Sequence, residues 1–345
     1  MFKTRPKSFL GIDIGNYSIR IIELEKKGNG FELKNYGESV NIPENGFGSF
    51  ERNSFSLLNE RVANTIKDIC EQAGIETKNV NFTIPDFYTF FTSINLPLMD
   101  KTELVQAIEY EVRPYIPLPI SEITLDWNII EGIVGKTPLN VLVAAVPNDV
   151  VAQYKEIAKL SDLNPNFLEP EVFSLARTLK KESEESVLGL VDIGIKSTTC
   201  TIIDKGLLKT SHSFNIGGSE ITEALARSLN LKYNEAEEIK KEKGITESPS
   251  KDIILPLIDS IIEENKKVFR NYYAEKGQEI KKIILAGGSM EMPGLQEYLK
   301  DKLKKEISII NPFVNITFPD VLKQELKKRG PFYAIALGAA LKGFE

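Results

Sequence analysis

The chain has 345 residues, more than one hydrophobic core usually holds, so two or more lobes are expected. At 42% hydrophobic and 27% charged residues it has the composition of a globular protein, and a net charge of −6 argues against a broad basic face for nucleic acid. With two cysteines and one histidine, His212, there is no basis for a zinc cluster or a serine-type triad. Cys70 and Cys200 both lie in apolar patterns and read as buried free thiols of a reducing compartment. Asp13 interrupts the apolar run behind the basic N-terminus, and Val141–Val146 is too short to span a bilayer, so a cytosolic chain without a membrane span is expected.

The elements alternate along the chain. "FLGIDIGNYSIRIIELEK" reads as strand, tight turn and strand, and "FELKNYGESVNI" as a third strand. Val62, Ile66, Ile69, Cys70 and Ala73 form one helical face that Gly74 ends, and "VNFTIP" is a short strand. An α+β segment follows, read as helix, strand, strand, helix. Asp100 and Glu103 have capping-box spacing ahead of a stripe of Leu104, Ile108, Val112 and Tyr115. Pro114, Pro117 and Pro119 then force an extended stretch before "ITLDWNIIEG" and "LNVLVAAVP", where Trp127 is expected to pack inside the segment. The strand-turn-strand pattern restarts at "SVLGLVDIGIKSTTCTIIDKGLLKTSHSF". Behind it come a helix entered through Gly217-Gly218, the charged helix "KYNEAEEIKKEKG" and a long helix. "KKIILAGGSMEMPGLQEYLKDKL" is strand, glycine turn and helix, and "PFYAIALGAALKG" a closing helix of small residues.

The duplication of "DIG", two further residues and Ser, at Asp13–Ser18 and Asp192–Ser197, is the most informative feature. On the first strand Leu10, Ile12 and Ile14 face a core, while Gly11, Asp13 and Gly15 face the other way and let something approach the backbone closely. The turn offers successive N–H groups and a hydroxyl, an arrangement that cradles phosphate. A carboxylate beside phosphate calls for a bridging cation, and Mg²⁺ suits that place. A single copy reads as only a strand end and a turn, with the Asp accepting local N–H bonds. Two copies in corresponding places argue for a ligand. Gly287-Gly288-Ser289 ends another apolar strand and reads either as a backbone approach for a ligand or as a plain strand–helix turn.

Together with Gly217-Gly218, Ala236-Glu237-Lys240 and "GGS...PGL", the two "DIG" turns resemble the actin-like ATPase superfamily. Within it, Leu96–Pro119, Glu122–Ile130, Leu142–Tyr154, Glu169–Leu179 and Asn311–Phe313 resemble the PilM family of type IV pilus assembly. The resemblance implies an α/β class: a duplicated actin-like, ribonuclease-H-like two-lobe fold with an inserted FtsA-type α+β subdomain. Its implied divisions are a lobe 1 core over 1–85, the insert over 86–165 and a crossover helix over 166–185. Lobe 2 core follows over 186–230, a helical subdomain over 231–280, the adenosine turn over 281–328 and a closing helix returning to lobe 1 over 329–345.

The resemblance also implies ATP and Mg²⁺ in an interlobe cleft. Asp13 and Asp192 would hold the metal through water. Gly15, Asn16, Tyr17, Ser18, Gly194, Lys196, Ser197 and Thr198 would surround the phosphates, with Gly217 and Gly218 near the phosphates or ribose. Glu237 and Lys240 fall at ribose and adenine, and Gly287, Gly288 and Ser289 would abut the nucleoside. Glu169 and Glu171 match positions that orient an attacking water; both also read as ordinary helix N-terminal acids. The implied partners are the N-terminal cytoplasmic peptide of a PilN-like membrane protein and other pilus platform components, with self-association left open and no nucleic acid or direct membrane insertion. The chain would then be a cytoplasmic, nucleotide-dependent adaptor at the inner membrane, with slow turnover if any. An FtsA-like division protein is the alternative, disfavoured because the sequence given ends without an amphipathic basic helix. A small-molecule kinase of the superfamily is the other alternative, and it has no use for the insert.

Overall fold

Strand β1 (Ser8–Ile14) pairs antiparallel with β2 (Ile19–Lys27), with Ile14 opposite Ile19; β3 (Gly30–Ser39) completes an antiparallel meander. The computed structural model describes residues 6–15, 18–39 and 55–345, and the last three residues expected in the third strand lie outside them. Leu10, Ile12 and Ile14 of β1 enter one core with Val62, Ile66 and Ile69 of helix α1 (Phe55–Gln72), as their spacing predicts. Helix α1 stops at Gly74, which takes φ +65°, and the Ile75 N–H returns to the Cys70 carbonyl at 2.8 Å. Strand β4 (Asn79–Ile84) then lies parallel to β1, with Phe82 beside Ile12.

The chain next builds a small antiparallel sheet. Strand β5 (Phe90–Leu96), helix α2 (Lys101–Glu111), β6 (Ile123–Glu131) and β7 (Leu139–Pro147) assemble with strand order β5-β7-β6. Leu104, Ile108 and Val112 cover Ile94, Leu96, Val141 and Val143, and Trp127 packs half-buried against this core. Three details differ from the sequence reading. β5 is an additional strand. Asp100 takes the extended backbone of an N-cap without a side-chain capping bond. Tyr115 is exposed, because a 3₁₀ turn at Arg113–Tyr115 rotates it off the helix stripe.

Helix α3 (Asn148–Leu160) places Val150, Tyr154, Ile157 and Ala158 in the core of the first sheet, so the core of the insert closes before α3. Strand β8 (Asn164–Pro170) pairs parallel to β4, and helix α4 (Glu171–Thr178) follows at once. Two prolines and a mostly exposed face hide this edge strand from pattern reading.

A second unit, Leu179–Asn311, repeats the plan. Strands β9 (Leu188–Ile193), β10 (Thr198–Asp204) and β11 (Leu207–Phe214) form the meander. Helices α5 (Gly218–Leu229), α6 (Tyr233–Glu242) and α7 (Ser250–Lys276) follow, then β12 (Lys282–Ala286), α8 (Leu295–Leu303) and β13 (Glu306–Ile309). The sheet order is β11-β10-β9-β12-β13, with β12 and β13 parallel.

The chain then rejoins the first unit through β14 (Ile316–Thr317), α9 (Lys323–Arg329) and α10 (Ala334–Lys342). The first sheet has order β14-β3-β2-β1-β4-β8, so its β3-β2-β1-β4-β8 core has the topology of the second sheet. The duplicated motif therefore marks a duplicated fold. Cys200 is buried as expected, whereas Cys70 is half-buried, and both thiols are free.

One expectation is overturned on β1. The Gly-Asp-Gly face is not open along its length: a Cβ on Gly11 would strike the Ala336 carbonyl and the Ala340 nitrogen of α10. The partner that approaches Gly11 is the closing helix, because small residues on both sides let the backbones meet. Gly338 meets the Ser174 backbone of α4 in the same way, and Asn81 Nδ2 donates to the Ala339 carbonyl at 2.8 Å. Gly11→Val is expected to destabilise the protein by about 3 kcal/mol or more through overpacking. Gly288→Ala, with open space around it, is expected to leave the thermal midpoint unchanged. Thermal unfolding followed by circular dichroism checks both, and an unaltered Gly11→Val midpoint would refute the packing.

Candidate functional site

In the second unit the turn after β9 is closed by the Gly194 N–H donating to the Ser197 carbonyl at 3.0 Å. The entry to α5 is bolted onto this turn. The Gly218 N–H donates to the Gly194 carbonyl at 2.8 Å, and the Ser219 N–H and hydroxyl both donate to the Ile195 carbonyl at 2.9 and 2.7 Å. The Thr198 hydroxyl donates to the Ile216 carbonyl at 2.7 Å, so it braces the loop from behind. Gly194, Lys196 and Ser197 stay half-buried on the turn.

Three predicted segments meet at Gly218. A Cβ there would lie 2.7 Å from Ser289 Oγ, 3.3 Å from Lys240 Nζ and 3.6 Å from the Gly194 carbonyl. Lys240 is buried, donating to the Gly218 carbonyl at 3.0 Å and to Thr222 Oγ1 at 2.8 Å, and it pairs with Glu237 Oε2 at 2.6 Å. The Thr222 hydroxyl lies 2.5 Å from Glu237 Oε2 and 2.8 Å from the Gly218 carbonyl, so its one proton is shared between these two acceptors. Burial lowers the Lys240 pKa, while the same lysine holds the Glu237 carboxyl below its ordinary value against desolvation. The α6 pair is therefore a brace for the glycine entry rather than part of a solvated face. Gly287, at φ +85°, lays its backbone against the Asp192 carboxylate, Asp192 itself is buried, and Gly288 has open space around it.

The first unit repeats the turn, with the Gly15 N–H donating to the Ser18 carbonyl at 2.9 Å. Asn16 and Tyr17 lie outside the described residues. Asp13 is buried at the carboxyl end of β1, and among the described residues its Oδ1 has no hydrogen-bond partner. Burial pushes its carboxyl up to about 6, opposed by the Arg20 charge and by Thr83. An orphaned, buried carboxylate oxygen beside a glycine turn fits a hard cation, which takes oxygen donors.

Sequence reading missed the row in which Asp13 sits. Register places Arg20 of β2 between Asp13 of β1 and Glu38 of β3. Arg20 lies 3.8 Å from Asp13 Oδ2 and 3.4 Å from Glu38 Oε2, and its guanidinium is 5.6 Å from the Phe332 ring centre. Glu38 pairs in turn with Arg329 of α9. The signal was present in the hairpin: a four-residue turn after Ile14 sets residue 20 opposite residue 13.

The two crossover acids have different environments. Glu169 lies on β8, ahead of the helix, and is buried in a bidentate pair with Arg177 at 2.6 and 2.9 Å; it also accepts from the Ser174 hydroxyl at 2.5 Å. Arg177 reaches on to the Gly338 carbonyl and Glu345, tying α4 to α10. Glu171 is the first residue of α4, and its Oε2 accepts the Asp86 N–H at 3.3 Å. Asp86, at the root of the insert, accepts the Val172 N–H at 3.2 Å and so caps the same helix. Asp86 was also missed, because its partner is 86 positions away.

Comparisons with known proteins bear on the family and the fold. The chain aligns over its full length with a solved "PilM-PilN type IV pilus biogenesis complex", at 25% identity and TM-score 0.87, covering 99% of this chain and 100% of that one. MreB 5 of Spiroplasma citri, solved bound to AMPPNP, shares the fold at 13% identity and TM-score 0.55, covering 99% and 96%. The cell division protein FtsA of Staphylococcus epidermidis is 20% identical over 349 residues, covering 88% of this chain and 74% of that protein. The duplicated two-lobe α/β fold is thus actin-like, and the division-protein alternative rests on the weaker likeness. Among the described residues no helix is long and apolar enough to cross a membrane. The family model described as "Type IV pilus assembly protein PilM" matches residues 11–344, and the chain belongs to that family.

Proposed function

We propose that this chain is a cytoplasmic, nucleotide-binding adaptor of the type IV pilus platform that docks the N-terminal peptide of a PilN-like membrane protein. The partner reading is carried by the full-length likeness to the solved complex. In this reading the partner brings the chain to the inner membrane.

The nucleotide reading is carried by the meeting at Gly218 of the second turn, the α6 lysine and Ser289. Backbone N–H groups of the turns at Gly15–Ser18 and Gly194–Ser197 would hold phosphate oxygens of ATP. Gly217 and Gly218 would lie beside the phosphates or ribose, Glu237 and Lys240 beside ribose and adenine, and Gly287-Gly288-Ser289 against the nucleoside. Mg²⁺, with Asp13 and Asp192 as its carboxylates, would neutralise phosphate charge. Glu169 is committed to Arg177, so Glu171 is the acid assigned to orienting a water. Few groups serve hydrolysis in this arrangement, and the nucleotide acts mainly as a conformational ligand with slow turnover.

Asp13→Asn tests the nucleotide reading on two axes. Calorimetry should show Mg-ATP affinity falling at least tenfold. The folded-state pKa of Asp13 is raised from 3.8 to about 6, so its cost to stability is absent below pH 4, builds as pH rises from 4 to 6 and is fully present above 6. The ligand-free variant should therefore be stabilised at pH 7.5, by up to about 3 kcal/mol, with the gain fading towards pH 4. Unchanged Mg-ATP affinity would remove Asp13 from the site. The partner reading predicts micromolar binding of a synthetic peptide from the cytoplasmic N-terminus of the PilN-like protein. No binding by fluorescence anisotropy, with or without Mg-ATP, would refute it.

A further inference from the structure

Four side chains of alternating charge stand in a row across the first unit: Asp13 of β1, Arg20 of β2, Glu38 of β3 and Arg329 of α9. The side chains of Asp13 and Glu38 are buried, and Arg329 closes the row at its exposed end. Arg20 is the member with a choice, because the ladder sets it directly between two carboxylates. Its Nε donates to Glu38 Oε2 at 3.4 Å, whereas its Nη1 stops 3.8 Å from Asp13 Oδ2, beyond hydrogen-bond reach. The Phe332 ring, 5.6 Å from the guanidinium, adds a cation–π contact to this placement. Among the described residues Asp13 Oδ1 has no hydrogen-bond partner. An arginine free to turn engages a carboxylate with both prongs of its fork and covers both oxygens. Glu38 draws Arg20 the other way, so Asp13 keeps the bare oxygen that suits a hard cation.

We infer, on the nucleotide reading above, that Glu38 is a positioning residue for the cation site: it holds Arg20 off Asp13 and so keeps that carboxylate open to Mg²⁺. Arg20 carries a charge that no ordinary pH removes, so its position decides how strongly it competes with a cation for Asp13. Without the Glu38 charge, Asp13 is the carboxylate left opposite Arg20 in the ladder. The arginine then closes on Asp13, and Mg²⁺ must displace it. A merely structural ion pair would make no such distinction between ATP with its metal and ATP without it.

The test is Glu38→Gln in the full chain, with ATP affinity measured by calorimetry in excess Mg²⁺ and again in EDTA. The ratio of the two affinities should fall by about fivefold or more, with the loss in the Mg²⁺ arm. In an Arg20→Gln background, Glu38→Gln should no longer change the ratio. Glu38→Asp, which keeps the charge but sets it one methylene further back, should fall between the parent and Glu38→Gln. If Glu38→Gln does not fold by circular dichroism, Glu38→Asp must still lower the ratio by about twofold. Equal losses in both arms, or a parent-like ratio, would overturn the inference and leave Glu38 structural. A ratio that falls as far in the Arg20→Gln background would overturn it too, since Arg20 would not be the intermediary. If the parent binds no ATP, or binds it equally with and without Mg²⁺, the nucleotide–metal reading fails and takes this inference with it, an outcome visible before any variant is made.

Discussion

The backbone of α10 lies directly on β1 at Gly11, an approach that only a residue without a Cβ allows. The same helix meets α4 at Gly338, and Arg177 crosses that seam to the Gly338 carbonyl while holding Glu169. The last segment of the chain therefore clamps two elements that carry candidate chemistry. β1 ends in Asp13, and α4 begins with Glu171. The small-residue character of "AIALGAALKG" follows from this, since larger side chains would lift the helix off both neighbours.

The two halves share topology and turn geometry but differ in how they treat the carboxylate. Asp13 faces Arg20 across the β1–β2 ladder, whereas Asp192 faces Thr199 across β9–β10. In the strand ladders a cation stands opposite one carboxylate and a hydroxyl opposite the other. The charged row continues from Arg20 to Glu38 and Arg329, so α9 is linked to the first carboxylate. In the second unit the turn is braced by hydrogen bonds from the α5 entry and by buried Lys240, which pairs with Glu237. The two copies share the turn and the strand order and differ in the residues around them.

Local pattern revealed much of the fold. The alternation in β1 and β2, the Gly74 stop and the stripe of α2 and α7 each follow from short-range periodicity and turn chemistry. β8 stayed hidden because its prolines and exposed face resemble a loop, and its strand character comes from pairing with β4. Asp86 stayed hidden for a related reason: it gains its meaning from Val172, far away in sequence. Lys240 was legible as a position and not as an environment, since a charged helix reads as solvated until its face is seen to be buried.

By itself the amino-acid sequence determined the superfamily plan, because two "DIG" turns require an acid at a strand end, a glycine where the backbone tightens and a hydroxyl after it. It also determined that the insert is a separate α+β element with its own apolar stripe. Only the tertiary structure decided which of these groups are available. Gly11 is covered by a helix more than 320 positions later, Glu169 is neutralised by Arg177, and Ser289, Lys240 and Gly194 converge on Gly218. Strand and turn geometry is set within a few residues of the chain. Burial and charge pairing are set by neighbours that only the folded chain brings within a few ångströms.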